Sequence, residues 1–348
     1  MPAAPPDRKA EKVDTEFYLP LIWAGVIGFA VAMYVILDGF DLGIGILFPT
    51  TKRESERDQA ITSIAPFWDG NETWLVLGGV GLLVAFPQAY AVIMPAFYLP
   101  VIVMLLALVF RGITFEFRGL APSGKAGWNF AFAAGSTVAA FCQGVILGGL
   151  IQGIKVADGQ FAGGTFDFAT PFAFVCGLGV VAGYALLGAT WLVMKTRGKL
   201  ANRARMQAKL LLLVVLAFMA IVSVWTPLAF ERIADRWFSL PNILFLWPVP
   251  IVTALVAFAG WWWLESGRDA PPFFCAIALF LLGYLGLAIS TYPYLVPPVL
   301  TIWQTAAAPA SQIFMLVGTL FLLPLILGYT VLVYWLFRGK VGAGESYH

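Results

Sequence analysis

Nine apolar segments dominate this chain, and each can cross the roughly 30 Å hydrocarbon core of a bilayer as a helix. They are Phe17–Phe48, Ile64–Phe86, Val92–Phe115, Trp128–Leu150, Phe168–Met194, Leu210–Phe230, Ile243–Leu264, Phe273–Tyr292 and Ile313–Phe337. Hydrocarbon offers the backbone no hydrogen-bond partner, so such segments are expected to be helical. The expected fold is therefore all-α, a polytopic membrane protein of nine transmembrane helices. It has a polar N-terminal tail over residues 1–16, a membrane domain over 17–340 and a short C-terminal tail over 341–348. Only 11% of residues are charged, whereas a soluble domain carries about a quarter. A rival count of eight treats Ile64–Phe86 as re-entrant, because it opens on the polar run WDGNE. Pro95 and Pro100 should bend or break the third segment, and Pro324 should kink the ninth.

Lysine and arginine fall unevenly among the connections. Fifteen flank the ends of odd-numbered segments, such as Lys52, Arg53 and Arg57, or Arg197, Lys199, Arg203 and Arg205. Six lie on the other side, half of them in the N-terminal tail. The positive-inside rule then puts the N-terminus outside and the C-terminus in the cytoplasm. Net charge is only +2, which gives no reason to expect nucleic acid, and neither a phosphate-binding loop nor a dinucleotide fingerprint is present. Cys142, Cys176 and Cys275 are isolated in separate segments, so they read as apolar packing rather than a disulfide or zinc framework.

Against this apolar background the acids stand out, because ionisable groups in hydrocarbon are costly and mark proton, ion or substrate routes. Asp38 and Asp41 are three positions apart, on one helix face. Close like charges and desolvation both oppose full ionisation of such a pair. Asp69 and Glu72 repeat the spacing, with Asn71 between them as a hydrogen-bonding group. A short loop should bring these four carboxyls to one end of adjacent antiparallel helices, which suits proton uptake. Blander readings are that Asp38 and Asp41 mark the end of a span, and that Asp69 is a helix-start anion behind Pro66. Arg111 and Glu116 are five apart and should serve neighbouring helices, Arg111 by neutralising Asp69 or Glu72. Gln143 and Gln152 read as interhelical hydrogen-bonding groups. The sole histidine is His348, so redox chemistry must largely be housed by another chain.

The runs DGFDLG (38–43), SIAPFWDGNETWL (63–75) and FRGITFEFR (110–118) resemble subunit II of cytochrome bd-type quinol oxidases, including the cyanide-insensitive branch. TPF (170–172), GATWL (188–192), TRGKLANRAR (196–205), YPY (292–294) and the Ser311–Gln312 pair follow in the same order. The resemblance implies two four-helix bundles plus a peripheral helix in the bacterial cytoplasmic membrane. It implies a complex that oxidises quinol and reduces O2 to water. A partner subunit I would carry b-type haems and haem d or a substitute b-type haem. This chain would carry no cofactor of its own, apart from a structural quinone known in parts of the family and not assignable to residues here. Small single-span accessory subunits belong to the same expectation, as do contacts with membrane lipid. By motif, Asp38, Asp41 and Asp69 match the family's acidic positions and Arg111 its basic one. This chain departs from some relatives at Phe67 (histidine there), Glu72 (glutamine) and Glu116 (aspartate), which puts a proton route copied unchanged from them in doubt. Two other functions compete with the oxidase reading: a standalone proton- or ion-coupled transporter, for which no inverted repeat or paired broken helices is visible, and a purely structural partner subunit.

Overall fold

The computed structural model describes residues 8–121 and 124–342. The chain opens with α1 (Arg8–Leu47), so residues 8–16, expected as tail, form its first turns. A 3-10 turn over Phe48–Thr50 leads to the short α2 (Glu54–Thr62) and then to α3 (Trp68–Ala85). Next come α4 (Pro87–Ala96), α5 (Tyr98–Leu120) and α6 (Lys125–Gln152). A hairpin of β1 (Val156–Ala157) and β2 (Gln160–Phe161) precedes α7 (Pro171–Lys195) and α8 (Gly198–Ala229). Short α9 (Glu231–Phe238) and α10 (Asn242–Leu246) lead to α11 (Pro248–Glu265) and α12 (Pro271–Thr291). A second hairpin, β3 (Tyr294–Val296) with β4 (Leu300–Thr301), and the one-turn α13 (Ile302–Thr305) precede α14 (Pro309–Leu336).

Eight helices among the described residues are long and apolar enough to cross a membrane. The expected second span does not meet that measure: it is α3, whose first turns carry Asp69, Asn71 and Glu72. It nevertheless runs antiparallel along α1, with Asn71 against Leu37 and Asp41, Gly78 beside Val31 and Gly81 beside Ile27. The third segment breaks as its prolines require, at Phe97 between α4 and α5. Pro324 lies within the unbroken α14. The basic stretch after α7, expected as a loop, is the start of α8, beginning well before Leu210.

α1 lies at the centre, packed against α3, α6 and α7, while α5, α6, α7 and α8 pack as successive neighbours. The tightest crossing joins α1 to α7. A Cβ on Gly43 would lie 1.8 Å from the Tyr184 carbonyl oxygen, and one on Gly188 would lie 2.4 Å from the Gly43 carbonyl carbon. Only glycine at both positions allows backbones this close. The core at this crossing is aromatic: Phe40 stacks on Trp191 at 4.0 Å, and Phe67 on Tyr334 at 4.4 Å.

One end of the molecule gathers the basic connections and ties them together with acids. Arg203 of α8 reaches Glu56 of α2 at 2.7 Å, and Arg118 of α5 reaches Asp58 at 2.6 Å and Glu54 at 2.8 Å. Asp269, between α11 and α12, pairs with Arg205 and, at 2.6 Å, with Lys340. Connections that follow α1, α5, α7, α11 and α14 therefore share one face of the bundle. The residues after Val341 to Gly342, including most of the expected C-terminal tail, lie outside the described residues, as do residues 1–7.

Candidate functional site: a buried acid–arginine cluster

Near the basic end, α1, α3 and α5 enclose a cluster of charged side chains. Asp38 and Asp41 project from one face of α1, as their spacing requires, and both are fully buried. Arg111 enters from α5, whose buried stripe runs through Met104, Ala107, Leu108, Arg111, Thr114 and Arg118. Its guanidinium is also fully buried, and it sits over the Phe115 ring at 5.8 Å. Arg111 Nη1 lies 2.7 Å from Asp38 Oδ1 and 2.6 Å from Glu72 Oε1, and Nη2 lies 3.7 Å from Asp41 Oδ2. Glu72 is the member in contact with the outside, its side chain 28% exposed.

Asn71 joins the cluster to its other neighbours. Its amide donates to Asp41 Oδ2 at 2.7 Å and to the Leu37 carbonyl at 3.2 Å, and its oxygen accepts from the Tyr334 hydroxyl of α14 at 3.1 Å. Three carboxyls thus share one permanent cation. Full ionisation would leave uncompensated negative charge in a low-dielectric interior, which is costly. With any one of the three carboxyls neutral, Arg111 still keeps a charged partner.

Asp69 and Glu116 do not join this group. Both are exposed: Asp69 in the first turn of α3, where it suits the helix dipole, and Glu116 on the outer side of α5. Of the four carboxyls expected together at one end, Asp38, Asp41 and Glu72 gather around Arg111, and Asp69 stands outside. Arg111 pairs with Glu72, as one of its two expected partners, and not with Asp69. Gln143 does bond between helices, to Tyr34 and Tyr184, and Gln152 accepts from Thr170 at 2.7 Å. The sequence reading missed Tyr34, Tyr184 and Tyr334. Tyr34 was within reach of it, one helical turn before Asp38.

A second polar group lies at the basic end of the bundle, where α2 meets the ends of α5 and α6. Arg118 Nε donates to Asn129 Oδ1 at 2.7 Å, and Asn129 Nδ2 donates to Glu54 Oε1 at 3.0 Å. Burial acts to push the Glu54 carboxyl up, but the bonds from Arg57 and Asn129 and the Arg118 charge outweigh it and hold it below its ordinary range. Asp269 behaves likewise: slight burial is outweighed by Lys340 and Arg205. Phe67 is buried against Trp191, Tyr334 and Phe337, an apolar plug beside the acids. Among the described residues no group of histidine, cysteine or carboxylate side chains is arranged to hold a metal ion.

Comparison with known proteins finds matches over nearly the whole chain. The family model described as cytochrome bd terminal oxidase subunit II matches residues 19–337. Cytochrome bd-I ubiquinol oxidase subunit 2 of Escherichia coli (strain K12) is 29% identical, the match covering 93% of this chain and 95% of that protein. Cytochrome bd ubiquinol oxidase subunit 2 of Bacillus subtilis (strain 168) is 28% identical, over 93% of this chain and 97% of its own. A chain in the solved structure of the bd oxidase from Geobacillus thermodenitrificans shares the fold, with a TM-score of 0.76 at 18% identity. That match covers 92% of this chain and 99% of that one.

Proposed function

Because the chain belongs to the cytochrome bd terminal oxidase subunit II family, we propose that it is the haem-free partner of a haem-bearing subunit I and takes up protons for O2 reduction through its buried acid–arginine cluster. Family membership makes it a subunit of a quinol oxidase, a multi-pass protein of the bacterial inner membrane. The observation that carries the proton reading is one connected path. Asp38 and Asp41, wholly buried, are linked through Arg111 to Glu72, which is open to the outside. Exposed Asp69 stands near Glu72 and would collect protons at its rim. Glu116, on the outer side of α5, is left with an assembly role.

The same reading has nine crossings, with α3 as the second, the N-terminus outside and the C-terminus cytoplasmic. The antiparallel run of α3 along α1 and the gathering of basic connections at one end support it. The bundles would be α1, α3, α5, α6 and α7, α8, α11, α12, with α14 peripheral. The sequence places no histidine in any span, so b-type haems and haem d or its substitute belong to subunit I. Quinol and O2 would react there, and the structural quinone and small accessory subunits of the family are not assigned to particular residues of this chain.

One observation favours a second reading, a purely structural subunit: Arg111 ties α1, α3 and α5 together by charge. Turnover separates the two. D38N keeps the side-chain shape and removes the exchangeable carboxyl. Under the proton reading, O2 consumption per assembled, haem-loaded complex should fall by about tenfold or more in D38N and less in D69N. D38N turnover equal to that of the unmodified complex would leave the cluster as a structural device only.

A further inference from the structure

The polar network continues inward beyond Asp38. Tyr34 lies one helical turn back along α1, on the face that carries Asp38. Gln143 of α6 donates from Nε2 to the Tyr34 oxygen at 2.8 Å. Tyr184 of α7 donates from its hydroxyl to Gln143 Oε1 at 2.6 Å. Both tyrosines are buried. Three helices thus build a chain of side chains that ends at Tyr34, one turn from Asp38.

The chain has a direction. An amide nitrogen only donates, so the Tyr34 oxygen is the acceptor towards Gln143, and the single phenolic proton points elsewhere. Tyr184 occupies Gln143 Oε1 and so fixes which way the carboxamide is turned. Asp38 needs that proton. Both of its oxygens are buried without a hydrogen-bond partner, and Arg111 Nη1, 2.7 Å from Oδ1, meets it as an ion pair. The other groups facing Asp38 are Asp41 on α1, Glu72 on α3, Tyr184 on α7 and Tyr334 on α14.

We propose that Gln143 is a positioning residue that turns the Tyr34 hydroxyl proton onto Asp38, with Tyr184 locking the Gln143 amide in place. A guanidinium is charged and has donors only, so Arg111 favours the anion. A phenol can serve both states of Asp38. It donates to the carboxylate and, when Asp38 gains a proton on its other oxygen, still donates to the carbonyl oxygen of the neutral acid. The hydroxyl can therefore follow Asp38 through a cycle without opening a gap in the network. This deepens the proton-uptake reading and rests on it for its purpose, though not for its geometry.

The test is infrared spectroscopy of the whole oxidase complex with isotope-labelled aspartate, following the band that D38N removes. If D38N does not assemble, D38E assigns the band instead, by taking residue 38 out of the labelled set. Y34F should shift the band. Q143M should shift it in the same direction by a smaller amount, and the milder Y184F by less still. Because Gln143 acts through Tyr34, adding Q143M to Y34F should move the band no further. A band unmoved by Q143M, or moved as far by Q143M in the Y34F background as alone, would overturn the proposal. Failure of the uptake reading looks different: D38N turnover would be normal, whatever the band does in the tyrosine and glutamine variants.

Discussion

Arg111 is the side chain on which the cluster depends. Removing it strands two fully buried carboxyls and a half-buried third, and breaking a buried ion pair from one side costs about 3–5 kcal/mol. R111M is expected to lower the thermal stability of the purified complex, or its yield, by that order. R111K keeps a charge but not the planar fork and should fall between. An R111M complex as stable as the original would mean that the acids are already neutral there. The sequence made this group legible because charge in hydrocarbon stands out, and Asp38, Asp41, Glu72 and Arg111 were all singled out. It did not show which acids turn inward. On a helix successive residues are about 100° apart, so Asp69 points about 200° away from Asn71. Asn71 and Trp74 face the core of the protein, and that leaves Asp69 outside. Spacing shows which residues share a face, and only the neighbouring helices decide where that face points.

At the scale of elements, the crossing of α1 and α7 sets where Asp38 and Asp41 sit. Gly43 follows Asp41 by two positions and meets the Tyr184 carbonyl directly. G43A must push the helices apart or strain the backbone, and overpacking of this kind costs about 1–3 kcal/mol, occasionally more. Thermal unfolding of the complex should show that loss, with a drop in turnover because the acids move with α1. Unchanged stability would contradict the close approach. Gly39, Gly43 and Gly45 lack side-chain bulk and permit a close neighbour, but the sequence does not identify that neighbour, since α7 lies more than a hundred residues away in the chain. The helices themselves were legible from apolar length, with α3 the weakest because its polar first turns dilute it. The long N-terminal extension of α8 was hidden because a charged helix and a charged loop have similar composition. Its arginines hold it in place by reaching Glu56 and Asp269.

Across the whole molecule, the end of the chain is strapped over the basic face. Lys195, buried at the end of α7, donates to the Phe337 carbonyl, and its own carbonyl accepts from Val341 N at 2.8 Å. Gln59 Nε2 donates to the Val341 carbonyl at 2.9 Å, and Lys340 bonds Asp269. The folded state holds Asp269 below its ordinary range, so the stabilisation is complete above the unfolded value of about 3.9. It is lost as pH falls through the lower, folded value. Limited proteolysis should therefore cut the strap after Phe337 slowly at neutral pH and faster in strong acid. D269N should be cut faster already at neutral pH. Equal cleavage of D269N and the original at pH 7 would show that the aspartate does not hold the strap.

The cluster also imposes an order on biogenesis. A ribosome makes Asp38 and Asp41 long before Arg111. About 70 residues separate them, which at 5–20 residues per second is a wait of about 4–14 s. During that interval α1 has no arginine to offset its acids, and each aspartate opposes insertion by up to about 3 kcal/mol at mid-membrane. Both lie in the last turns of α1, within reach of water at the basic end, where the cost is smaller. The acidic end of the first helix can therefore stay beside water until α5 brings its counter-ion, and the site closes only after the third long hydrophobic stretch has left the ribosome.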